Sequence, residues 1–195
     1  MGCGDAKRAG FLGVDILTGA DYVCDIAQEP LPFADGSVEH LFSSHCLEHI
    51  QPDRLAHVFR EFTRVAADGA LLELWHPHAF HRDAFMFDHK NFLNEEHYYQ
   101  PGRYPEHWEP ILGGRWRLQE VRCHVERAVA VDLDNHGVDL DFAIQYLHDV
   151  VKEMGVFIRV DKSGLPPDPG FLRTVSVGGR EGALRALGTG PYRPR

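Results

Sequence analysis

The chain has 195 residues, 44% of them hydrophobic and 25% charged, enough for one domain with a real core. Twenty Lys and Arg stand against 29 Asp and Glu, a formal charge of -9 that disfavours nucleic acid and anionic membrane as partners and points to a small-molecule substrate. No apolar run reaches about 18 residues and no charged-then-apolar leader opens the chain, so a soluble, cytoplasmic protein without spanning helix or signal peptide is expected.

The chain opens MGCGDAKRAGFLGVDI, a glycine turn preceded only by Met1. FLGVDI (11–16) and DYVCDI (21–26) read as short strands, each ending near an acid. A turn at Asp35-Gly36 leads into an apolar strand through Val38, Leu41 and Phe42. From 52 to 67, Leu55, Val58, Phe59, Phe62 and Val65 recur at steps of three and four and predict an amphipathic helix, its other face carrying Arg54, Arg60, Glu61 and Arg64. ALLELW (70–75) predicts a strand buried on both faces. Residues 76–115 are aromatic, histidine-rich and aperiodic, an insert or lid after the strands. WRLQEV (116–121) and HVERAVAV (124–131) read as late strands, Leu140 to Met154 as a second helix closed by Gly155, and VFIRVD as a final strand. Residues 1–177 form one expected domain, and the Gly- and Arg-rich tail 178–195 is expected to be weakly ordered. Four cysteines without a C-x-x-C pair read as reduced thiols.

Gly2 and Gly4 let backbone pass close to a ligand, and a carboxylate at Asp15, ending the neighbouring strand, can accept both hydroxyls of a ribose. Together they suggest a nucleoside cofactor. A nicotinamide-type G-x-G-x-x-G loop fails, because Lys7 occupies the third glycine position.

The run from Asp25 to His78 then carries LPFADGSVE, SHCLEH and RVAADG in that order, after the G-x-G loop and the acid ending the second strand. This set resembles the class I S-adenosylmethionine-dependent methyltransferases of the small methyltransferase-domain type, over roughly residues 2–78. The resemblance implies an α/β, Rossmann-like methyltransferase sheet with helices on both faces and S-adenosylmethionine as cofactor. It implies that Gly2, Cys3 and Gly4 cradle the methionine part, Asp15 holds the ribose with Ile16 on adenine, Asp25 and Ile26 reach the adenine edge, and Ser43 and Ser44 lie beside the methyl group. In that family the G-x-G loop ends a first strand lying centrally in the sheet. This chain has no residues to make it; an upstream segment, another part of the chain or a partner chain would fill the slot.

Methyl transfer from a sulfonium needs a nucleophile held in line and, for a hydroxyl, a group to take its proton. His45, His76 and His78 are the catalytic candidates, with His81 near them, since they follow carboxyl ends of strands, where open α/β sheets bind ligands. HPHAFHRD with Asp88, His89 and His97 also invites a metal reading, but His76 and His78 flank a proline in an extended link, and no metal is expected. The aromatics of the insert read as a lid excluding water or as the surface of a homodimer. The expected activity is methyl transfer to a small molecule, most simply at a hydroxyl. The alternative is a sheet of the same shape that has lost catalysis and serves binding or assembly.

Overall fold

The computed structural model describes residues 1–2, 4, 7–164 and 170–189. Two very short strands, β1 (Val14–Asp15) and β2 (Tyr22–Val23), pair in parallel as a small sheet of their own. The main sheet has six strands. In chain order they and their helices are β3 (Val38–Ser44), α1 (Leu55–Val65), β4 (Ala66–Pro77), α2 (Glu96–Arg103), α3 (Pro105–Leu112), β5 (Arg115–Val125), α4 (Arg127–Asn135), α5 (Leu140–Tyr146), β6 (Glu153–Asp161), β7 (Leu172–Val177) and β8 (Leu184–Thr189). Across the sheet the strands run β3-β4-β6-β5-β7-β8, with β3 parallel to β4 and β6 antiparallel to both its neighbours.

The helix predicted over 52–67 is real and shorter, because Pro52–Arg54 forms a 3-10 turn leading into α1. Its apolar face buries Val58, Phe62 and Val65, and burying the Phe62 ring alone contributes about 2–3 kcal/mol. The other face is less solvated than its charge suggests. Arg64 donates to the carbonyls of Leu31 and Phe33 and to the carboxylates of Glu61 and Asp35, while Glu61 accepts from the Leu31 amide at 2.8 Å. The LPFADGS turn is thus held on α1 by one ion-paired arginine.

On β4, Ala70 and every residue from Leu72 to Pro77 are buried, the burial a strand shows when both faces are covered. On one face His76 stacks on Tyr98 of α2. On the other, Trp75 lies against Gly155 of β6, where an added Cβ would come within 2.6 Å of the indole. Gly155 is therefore a strand residue kept bare for a ring, not the stop of a helix. The helix expected from Leu140 to Met154 ends at Tyr146; Asp149 beyond it takes a left-handed backbone with φ of 61°. HVERAVAV is likewise divided, with Val125 ending β5 and Arg127 opening α4, whose Val129, Ala130 and Leu133 pack on the core. Leu184–Thr189 forms the outer strand β8 where a weakly ordered tail was expected; residues 190–195 lie outside the described residues.

Among the described residues, β3 is an edge strand; the Arg8 and Phe11 side chains reach across the slot beside it to Glu73, His40 and Phe42, and backbone bridges it at the top. The Met1 ammonium donates to Phe42 O at 2.6 Å, and the Gly2 amide donates to Val14 O at 3.0 Å. These two residues stand where the final residues of a strand between β1 and β3 would stand.

Candidate functional site

The glycine loop and the acid of β1 meet. Gly2 and Gly4 take positive φ of 61° and 45°, and a Cβ at Gly2 would collide with Cys46 at 2.7 Å, so the close approach requires glycine there. The Gly4 amide donates to Asp15 Oδ2 at 2.9 Å and the Leu17 amide to Oδ1 at 3.0 Å. A carboxylate offers about four acceptor sites, so Asp15 keeps capacity for further donors. Beside it Ile16 is 67% exposed, an apolar side chain that a flat ligand would cover. Cys3 lies outside the described residues. The other expected cofactor contacts are placed differently. Asp25 accepts from the Ala27 amide within its own turn, and Ile26 is buried in the core, so it offers no surface to an adenine ring. Ser43 is wholly buried, and Ser44 partly so.

At the carboxyl ends of β3, β4 and β5 sits a cluster of imidazoles and carboxylates. His45 follows β3 directly, with a left-handed φ of 50°, costly for a non-glycine residue and held by its amide's bond to Trp75 O at 2.9 Å. Its Nδ1 meets Glu48 Oε1 at 3.1 Å and its Nε2 meets Glu153 Oε2 at 3.0 Å. The bonds to Glu153 and then Glu48 raise its pKa to about 9, so the ring is a cation donating both protons. Glu153 also accepts from His124 Nδ1 at 2.8 Å and from both Nε and Nη2 of Arg180, contacts that hold its carboxyl well below the usual range despite burial. The Arg180 guanidinium lies 4.5 Å from the centre of the Trp75 ring.

His76 is fully enclosed. One ring nitrogen donates to Pro77 O at 2.9 Å, and burial lowers its pKa to about 4, so it is a neutral packing residue out of reach of any acceptor. His78 is also buried, its Nδ1 accepting from the Phe80 amide at 3.3 Å and its Nε2 lying 3.5 Å from Glu95. His81 caps the next turn by accepting from the Asp83 amide. The cluster is thus built around Glu153, which His45, His124 and Arg180 all meet; Glu153, His124 and Arg180 are residues the sequence did not bring forward. The only local hint was the pair Gly178-Gly179, whose positive φ values turn the chain just before Arg180.

The insert divides in two. Tyr98 and Leu93 belong to the core, whereas Phe85, Phe87 and Phe92 stay exposed. A cavity of about 790 Å³ lies beside the open edge of β3, lined by Gly2, Arg8, Phe11, Phe42, Trp75 and Arg180 among others. Neither Asp15 nor His45 lines it, but Gly2 and Ser44 do.

A sequence model of the family described as "Methyltransferase domain" matches residues 4–74. No curated protein sequence matches the chain. Among solved structures, a SAM-dependent methyltransferase from Archaeoglobus fulgidus is similar at a TM-score of 0.51 and 14% identity, over 75% of this chain and 74% of that one. A provisionally assigned methyltransferase from Bacillus halodurans aligns at 0.43 and 18% identity over 76% and 79%. The family model covers residues 4–74, and over most of its length the chain is similar in fold to SAM-dependent methyltransferases.

Proposed function

We propose that the chain transfers a methyl group to a small-molecule acceptor, most simply at a hydroxyl. The observation that carries this reading is the Asp15 carboxylate 2.9 Å from the Gly4 amide with Ile16 uncovered beside it, a ribose acceptor and an adenine platform against a glycine turn. When bound, the cofactor supplies an electrophilic methyl group. Gly2, Gly4, Asp15 and Ile16 hold it, and Ser44 faces the acceptor. In this reading His45 neither deprotonates nor binds the acceptor, since both its ring nitrogens are committed to carboxylates; it positions Glu48 and Glu153. The exposed Phe85, Phe87 and Phe92 serve as a cover for the site or as a contact between two copies.

Calorimetry with S-adenosylmethionine and S-adenosylhomocysteine, on the wild-type chain and Asp15→Ala, tests the proposal. Binding that weakens at least about tenfold in the variant supports it. Silence toward both ligands favours the second reading, a binding or assembly module, for which the position of β3 at the edge of the sheet among the described residues speaks. Once an acceptor is known, His45→Gln should retain more activity than His45→Ala, as a positioning role requires.

A further inference from the structure

Just past His45 lies a second group of side chains, of which the methyl-transfer reading uses only Glu48, as the partner of His45. The 3-10 turn Leu47–His49 carries Glu48 and His49, and the loop after the short helix Arg82–Phe85 carries Asp88 and His89. One ligand atom each from Glu48, His49 and His89 falls within 4.8 Å of the others, the one such grouping among the described residues. From these we infer a binding site for a borderline divalent transition cation, zinc being the natural probe, held by Glu48, His49 and His89.

Two buried atoms support it independently of the spacing. Glu48 is 1% exposed; its Oε1 is taken by His45 while its Oε2 has no hydrogen-bond partner. His89 Nδ1 is buried and partnerless as well. A carboxylate oxygen and an imidazole nitrogen left unsatisfied in the same neighbourhood are costly unless something electropositive meets them. The third ligand is already oriented: Asp88 Oδ2 lies 3.3 Å from His49 Nδ1, the carboxylate-to-histidine contact that leaves Nε2 as the lone pair for a metal.

The two ligand-bearing segments are clamped before any ion arrives. The Lys90 and Asn91 amides both donate to Glu48 O, at 2.6 and 3.2 Å, and the Asn91 side chain donates to Leu47 O and Ile50 O. Two imidazoles and one carboxylate suit zinc, cobalt or iron better than calcium or magnesium, which prefer all-oxygen shells. Three protein ligands leave a coordination position open, and the His49 side chain, 40% exposed, turns the site toward solvent.

The test is titration of the untagged full-length chain, stripped with chelator, with zinc by calorimetry and with cobalt by visible absorption. One equivalent of zinc and a cobalt spectrum with nitrogen-ligand bands are expected. Both should be lost in His49→Ala/His89→Ala and weakened at least about tenfold in Glu48→Gln. Far-UV circular dichroism of each variant establishes that it is folded; if Glu48→Gln does not fold, the double histidine variant decides alone. Absence of zinc binding, or binding that survives unchanged in the double variant and so belongs to other histidines, overturns the inference.

Discussion

The two flanks of β3 are built on different principles. Toward β4 the strand pairs along its length, and the sheet that follows is buried on both faces, with Phe62, Leu72, Leu74 and Trp116 enclosed. Toward β1 one ammonium, one amide and the side chains of Arg8 and Phe11 span the gap, and beyond it lie strands of two residues with Val23 59% exposed and Ile16 more so. The closed flank spends its apolar residues on packing, whereas the open flank buries Val14 and Ile26 but leaves Leu12, Ile16 and Val23 as surface. The difference separates stability from recognition: substitutions on the closed side should change folding, and those on the open side should change binding while the fold stands.

The sharpest contrast is Phe62→Ala against Ile16→Ala. The first should cost about 4 kcal/mol of unfolding free energy, read from the urea midpoint. The second should stay within about 0.5 kcal/mol of wild type while lowering affinity for S-adenosylhomocysteine severalfold. Equal losses of stability would erase the distinction.

The closed flank should also show itself in pH. His76 is held neutral by burial, its pKa lowered from 6.5 to about 4. The unfolded chain therefore binds this proton first, so its contribution is whole above about pH 6.5. It declines by up to about 1.4 kcal/mol per pH unit as the pH falls toward 4. Urea midpoints between pH 7.5 and 5 should follow this slope and flatten in His76→Gln; an unchanged slope would assign it elsewhere.

Next in size is Asp15→Ala, which removes the acceptor of the Gly4 amide and should cost about 1 kcal/mol of stability beside its larger effect on cofactor binding. Smallest is Lys7→Ala: the pair Lys7–Asp21 is largely exposed, and its loss should leave the urea midpoint indistinguishable from wild type.

Much of the closed flank was legible in the sequence between Val38 and Trp75. There the period of three and four in Leu55 to Val65 and the unbroken apolar run ALLELW are local signals, and the neighbouring motifs fix their order. What was not legible came from non-local placement. His45, His124 and Arg180 converge on Glu153 from separate parts of the chain, and no spacing records that. Gly155 looked like a helix stop because a glycine after an apolar period reads the same whether it ends a turn or makes room for a ring. HVERAVAV misled for a related reason: β-branched residues alternating with alanine suit a strand, yet Val129 and Leu133 lie four apart and serve a helix as well.

The bare position on β6 reaches further than its own strand. A methyl group at residue 155 would evict the indole of Trp75, and with it the aromatic bed on which the Arg180 cation rests. That guanidinium carries two of the bonds gripping Glu153, so an absent side chain in mid-sheet governs whether a late loop can settle over the histidine at the far end of β3.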